Sequence, residues 1–278
     1  MTSAPKIKLE NGEKMPAVGF GTWRLSEGAE ASEAVSDALQ AGYRLIDTAK
    51  IYGNEMSVGQ AVRGSGIPRG EIFVTTKLWN GDQGFDSAMS AFDNSLRRLG
   101  LEYVDLYLIH WPGHSSQKRR DSWRALEEIN RDGRAKSIGV SNYEIEHLEE
   151  LFLSAKTVPA VNQIEFNPYI YDKQVTVIEY CKKQKIAIEA YSPLARGRQI
   201  DNPKISGIAQ KLDKTNAQVL LRWAIQHGTV PIPKSAHPGR IRENLEIFDF
   251  ELSGKDVETL NSLGEGKSSL PFLVSLLK

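Results

Sequence analysis

Four side chains able to move a proton stand at or just past the ends of apolar runs within the first 110 residues: Asp47, Tyr52, Lys77 and His110. Asp47 ends the apolar run Leu45–Ile46, and Tyr52 follows it within RLIDTAKIYGNE, residues 44–55. Lys77 lies near the end of EIFVTTKLW, and His110 ends VDLYLIH just before Pro112. Alone, each has an ordinary explanation: Asp caps turns, Tyr fills loops, a strand-end Lys snorkels and a His packs in a core. Together they suit proton transfer to or from an oxygen. A phenol, with an unperturbed pKa of about 10, donates reluctantly near neutral pH. A neighbouring ammonium stabilises phenolate, and this is the role expected of Lys77. Asp47 would hold that ammonium charged and in place, and His110 would orient the substrate oxygen.

These groups meet only if the elements carrying them share one rim. The chain opens with KIKLENGEKMP, whose Asn11-Gly12 predicts a tight hairpin with positive φ angles. Strands are then expected at about 18–22, 44–48, 72–78, 104–110, 136–140, 160–166, 186–191 and 230–233. Helical spacing falls between them, at 30–40, 55–63, 86–99, 121–131, 144–154, 173–184, 203–212, 217–227 and 238–247. Short apolar strands alternating with helices about eight times predict an α/β fold, a (β/α)8 TIM barrel. It has an N-terminal β-hairpin and extra helices near the C-terminal end. No linker or composition shift divides residues 1–278, so one barrel domain is expected. In such a barrel the strand C-terminal ends form one active face. Trp23, Trp79 and Trp111 fall just past strand ends and would wall an apolar substrate pocket. The apolar tail, GEGKSSLPFLVSLLK, is expected to lie against the barrel.

Composition narrows the partners. Lys and Arg balance Asp and Glu at a net charge of zero, which argues against nucleic acid or an acidic membrane surface. No run of about 18 apolar residues predicts a membrane span, and the N-terminus shows no signal-peptide core. The single Cys181 allows no internal disulfide, which fits a reducing, cytoplasmic setting. No metal-ligand cluster is visible. GFGTWR lacks the third glycine of the dinucleotide fingerprint, so a Rossmann domain is rejected. The lone pair Tyr169 and Lys173 is treated as chance. A cofactor phosphate is better served by IPKSAHPGRIRENL: Lys234, Ser235 and Arg240 beside a helix start, with Glu243 and Asn244 in reach of an adenine edge.

From about residue 5 to 260 the chain resembles the aldo-keto reductases, and within them the short-loop microbial branch. The resemblance rests on GFGTW (19–23), GYRLIDTAKIYGNE (42–55), TTKLWN (75–80), LGLEYVDLYLIHWP (99–112), IGVSN (138–142), VNQIEFNP (161–168) and IPKS with RIRENL. It implies reduction of a small carbonyl compound by NADPH, with NADH a weaker alternative, in a monomer. Tyr52 would be the acid, completed by Asp47, Lys77 and His110. Trp23, Trp79, His110 and Trp111 would contact substrate. Ser141, Asn142 and Gln163 would hold the nicotinamide carboxamide, Tyr191 would stack on the ring, and Ser192 and Leu194 would meet the pyrophosphate. Gly21 and Thr22 would also line the cofactor, with Lys234, Ser235 and Arg240 at the 2′-phosphate and Glu243 and Asn244 at the adenine. The sequence departs from the family's usual residues at Asn167, where a histidine is common, and at His237 and Lys50. A cofactor-sensing regulatory protein of the same fold, with little turnover, is the second reading.

Overall fold

The computed structural model describes residues 4–264. An antiparallel hairpin comes first, β1 (Lys6–Lys8) and β2 (Lys14–Pro16). Eight strands follow: β3 (Phe20–Gly21), β4 (Leu45–Asp47), β5 (Phe73–Leu78), β6 (Val104–Ile109), β7 (Ala135–Ser141), β8 (Val161–Glu165), β9 (Ala187–Tyr191) and β10 (Thr229–Pro231). Each is hydrogen-bonded to the next, all in parallel. At the seam the Gly19 N–H donates to the Pro231 carbonyl and the Gly21 N–H to the Pro233 carbonyl, each at 3.0 Å, so the curled sheet meets itself. That approach requires glycine. A Cβ on Gly21 would sit 2.9 Å from the Ile232 carbonyl oxygen, and one on Gly19 would strike Leu45.

The helices between strands are α1 (Ala29–Ala41), α2 (Glu55–Gly64), α3 (Phe85–Leu99), α4 (Ser116–Arg131), α5 (Ile145–Phe152) and α6 (Tyr171–Lys183). The β9–β10 crossover carries two, α7 (Pro203–Leu212) and α8 (Asn216–Gln226), and α9 (Pro238–Glu243) and α10 (Gly254–Asn261) follow β10. α3, α4, α6 and α8 pack on strands, while α7, α9 and α10 pack mainly on other helices. In α3 the buried stripe is Ala88, Ala91, Phe92, Ser95 and Leu99, and Gly100 stops the helix in a left-handed turn at φ +63°.

Strand side chains divide with period two between separate cores. Ile46, Val74, Tyr107, Ile109, Val140, Ile164 and Ile188 face the helices. Leu45, Phe73, Leu106, Leu108, Val161, Val230 and Ile232 face inward, joined by Leu9 and Met15 of the hairpin. The hairpin thus packs against the inner core. Asn11 reinforces it, its Nδ2 donating to Ser137 Oγ at 2.9 Å and to the Lys136 carbonyl at 3.1 Å. This corrects the expectation at the turn: only Gly12, at φ +94°, is left-handed, and Asn11 serves as a tether.

Other boundaries differ for local reasons. α4 starts five residues earlier than its apolar spacing suggests, because the Ser115 hydroxyl caps a polar first turn by accepting from the Lys118 N–H. α10, absent from the sequence reading, is held by a Ser253–Asp256 capping box. The expectation for the C-terminal tail falls, beyond Gly264, outside the described residues. Among those described, no helix is long and apolar enough to cross a membrane, and no His/Cys/Asp/Glu group could hold a metal.

Candidate active site

The inward-facing positions change character along the strands. They begin apolar and end polar: Leu45 then Asp47 on β4, Phe73 and Thr75 then Lys77 on β5, Leu106 and Leu108 then His110 past β6. Val161 then Gln163 on β8, and Ala187 then Glu189 and Tyr191 on β9, repeat the pattern. The apolar layers form the floor, and the polar ones gather at the C-terminal mouth. A 3-10 turn at Lys50–Tyr52 brings the phenol back over this mouth. Buried Asn54 anchors the turn, accepting from Thr48 Oγ1 at 2.8 Å and donating to the carbonyls of Thr22 and Leu25.

The expected four groups are brought together. Lys77 Nζ donates to both Asp47 oxygens at 2.7 Å, to the Thr48 carbonyl at 2.9 Å, and lies 3.2 Å from the Tyr52 hydroxyl. Lys77 is 0 % exposed and Asp47 2 %, so this ion pair is desolvated. The His110 ring meets the Tyr52 ring edge-on, centroids 5.7 Å apart, and Trp79 meets His110 at 5.4 Å. Burial opposes the charge on Lys77, but Asp47, Tyr52 and Glu189 together outweigh it and the ammonium is held charged. Burial holds the Asp47 carboxyl above its ordinary value, although the ammonium and the Gln163 amide pull it down. His110 is held well below its ordinary value by burial and then by the Lys77 charge, so its imidazole is neutral at pH 7. Tyr52 departs from expectation. Lys77 pulls its pKa down, yet burial prevails and the phenol is pushed up to about 12.

Beside this group, a cavity of about 510 Å³ is lined by Trp111, Asn142, Glu165, Ile170 and Tyr191, among others. Trp111 is buried there, and Trp79 is half-buried against His110. Trp23 stands apart from that ring cluster, with the Arg24 and Arg196 guanidiniums at 4.6 and 4.5 Å from its ring.

The sequence profile of the Aldo/keto reductase family matches residues 17–265. The chain belongs to this family. It is 49 % identical to a glyoxal reductase of Bacillus subtilis, covering 93 % of this chain and 92 % of that one. It is also 49 % identical to a 9,11-endoperoxide prostaglandin H2 reductase of Trypanosoma cruzi, over 94 % of this chain and 92 % of that one. Among solved structures, an aldo-keto reductase of Bombyx mori in complex with NADP superposes at a TM-score of 0.90. It is 35 % identical, over 97 % of this chain and 95 % of that one.

The positions expected from the sequence to meet a cofactor run from β3 and from β7 to α9, several of them in contact with these four groups. Ser141 and Asn142 end β7, with Asn142 left-handed at φ +62°. Asn142 Nδ2 donates to the His110 carbonyl, and its Oδ1 accepts from the Tyr191 hydroxyl at 2.8 Å, which pins the Tyr191 ring. Gln163 Nε2 donates to Asp47 Oδ2 at 2.9 Å and to Glu189, which leaves its carbonyl end to accept. After β9 the backbone is left-handed at Ser192, Ala195 and Arg196. Asn167 supports this loop by donating to the Ser192 carbonyl at 3.2 Å. Thr22 is fully buried, its hydroxyl donating to the Asp47 carbonyl at 2.9 Å, and Gly21 lies in the seam. Beyond β10, Lys234 and Arg240 are exposed and flank Ser235, with Arg240 Nε 3.4 Å from its hydroxyl. The α9 N-terminus is capped by His237, whose Nδ1 accepts from the Gly239 N–H. Glu243 accepts from Thr215 Oγ1 at 2.7 Å, and Asn244 is buried at the end of α9.

Sequence reasoning missed Asn54 and Glu189. Asn54 gave no periodic signal. Glu189 did: an acidic residue within the apolar strand IAIEAY has no obvious solvent to face.

Proposed function

We propose that this protein is an NADPH-dependent carbonyl reductase that converts aldehydes and ketones to alcohols. The observation that carries the reading is the Tyr52 hydroxyl set 3.2 Å from an ammonium that is itself clamped by Asp47. Bound NADPH supplies the hydride that adds to the carbonyl carbon. Tyr52 holds its proton firmly at neutral pH, so the acid is loaded when substrate arrives. An oxygen gaining alkoxide character is a far stronger base than phenolate, so the proton passes to it from Tyr52. Lys77 stabilises the phenolate left behind, and Asp47 keeps Lys77 charged. Neutral His110 offers a ring N–H to the carbonyl oxygen and fixes its direction.

The residues present fit the cofactor. Ser141, Asn142 and Gln163 present polar groups beside the pinned Tyr191 ring, as a carboxamide-bearing ring requires. Left-handed turns after β9 make a concave backbone suited to a pyrophosphate. Lys234, Ser235 and Arg240 suit the extra phosphate of NADPH through side-chain charge. Solved relatives bound to NADP or NADPH support the choice.

Protein mixed with NADPH and a panel of reactive aldehydes, glyoxal among them, should consume reduced nicotinamide absorbance. NADPH binding without consumption across the panel would favour the cofactor-sensing reading instead.

A further inference from the structure

Behind the proposed proton donor lies a second carboxylate. Glu189 faces the barrel interior from β9 and is 0 % exposed. It pairs in register with Gln163 on β8, which pairs with Ser141 on β7. Gln163 Nε2 donates to Asp47 on one side and Glu189 on the other. An ionised carboxylate only accepts, so Asp47 dictates which end of the amide turns inward, and Glu189 takes its second proton. Glu189 Oε1 is buried with no partner.

The charges around Glu189 do not balance. Asp47 from β4, Tyr52 from the turn after it and Lys77 from β5 act on it or feel it. Its register neighbours on the adjoining strands, Gln163 and Val230, carry no charge. Two carboxylates thus share one ammonium. With both ionised, the desolvated site carries one negative charge too many.

We propose that Glu189 is a positioning residue for the proton donor, a buried carboxylate that fixes the Gln163 amide against Asp47 and bears electrostatically on the Lys77–Tyr52 pair. Burial, and then the charge of Asp47, push its carboxyl up to about 8. Below that pH it is neutral and the site is balanced. Above it, the new negative charge makes Tyr52 harder to ionise and Lys77 harder to discharge.

This inference rests on the reductase reading, and its test separates the two. Glu189→Gln keeps the size and the acceptor oxygen but cannot ionise. The readout is the pH dependence of aldehyde turnover, each profile scaled to its own maximum, so that it does not depend on the absolute rate of the variant. The basic limb of its pH–rate profile should move to lower pH, because Tyr52 has lost a negative neighbour. A purely structural Glu189 would instead give a superimposable profile, and that result overturns the proposal.

A second measurement needs no turnover. A carboxyl raised above its unfolded pKa of about 4.3 binds an extra proton in the fold, so the parent loses stability as pH rises from there to about 8 and no further. The Tm advantage of Glu189→Gln should therefore grow across that window and then level off. A difference constant with pH overturns the proposal. If the parent reduces no carbonyl at all, the reductase reading fails, while the thermal series still decides whether Glu189 holds a proton beside Asp47.

Discussion

The two sides of the barrel mouth are built on opposite principles. On the β4–β5 side the acidic groups Asp47 and Glu55 are buried and already paired: Asp47 with Lys77, and Glu55 with Thr76 and Arg98. On the β10–α9 side Lys234 and Arg240 are exposed, and neither has an ion-pair partner among the described residues. The first side is organised before any guest arrives, as acid–base chemistry in a dry site demands. The second leaves its cations open, as recognition of an anion demands. The desolvation of the first side is met within the fold, while that of the second falls due only on binding.

Each contrast can be broken by substitution. Tyr52→Phe removes the proposed acid alone, so reduction should fall by about 10³-fold while NADPH affinity, followed by quenching of protein fluorescence, stays within about twofold. An active Phe variant would move the acid elsewhere. Lys77→Met leaves Asp47 buried and unpaired, and should cost about 3–5 kcal/mol in denaturant unfolding. Adding Asp47→Asn should restore a large part of that stability but none of the turnover. A double variant no more stable than the single one would mean that the pair is not the source of the loss.

On the open side, Arg240→Ala removes one proposed charge-assisted contact with the extra phosphate. The KM for NADPH should rise about tenfold to a hundredfold, with that for NADH little changed. Salt should weaken NADPH binding in the parent more than in the variant. Equal losses for both nicotinamides would take Arg240 away from the extra phosphate.

His110 offers a pH test. Its folded pKa is lowered by burial and by Lys77, whereas the unfolded chain takes up a proton at about 6.5. The fold then binds fewer protons below that pH, so stability is lost as pH falls from about 7 to about 5. His110→Asn should lose less Tm over that interval, and an unchanged slope would count against a neutral buried imidazole. The smallest effect belongs to the Lys50–Asp82 pair, whose side chains are 37 % and 24 % exposed. Lys50→Ala should change stability by less than about 1 kcal/mol.

The same contrast governs what is legible in the sequence alone. Strands β5, β6 and β8 are legible because apolar runs with clear stops leave one interpretation, and Asp47, Lys77 and His110 stand out as polar residues ending them. Once a barrel is assumed, convergence of these residues follows from period two and a common rim. β3 is reduced to Phe20–Gly21 because the seam relies on two glycine N–H groups rather than a ladder. The start of α4 was hidden because its first turn, SQKR, carries no apolar stripe. The proposed cofactor side was legible chiefly through family resemblance: exposed cations on a short helix look the same whether or not they serve a phosphate. Tyr52's acidity could not be read from residue types at all, since it turns on how far burial outweighs a nearby ammonium.

The glycine seam between Gly19 and Pro231 bears on the order in which the molecule assembles. Its bonds join opposite ends of the polypeptide, which makes them among the most non-local contacts of the fold and places them late in folding. Until β10 emerges, β3 and β9 present bare strand edges. A chain cut short before Pro231 is thus expected to self-associate through those edges instead of surviving as a weaker version of the whole.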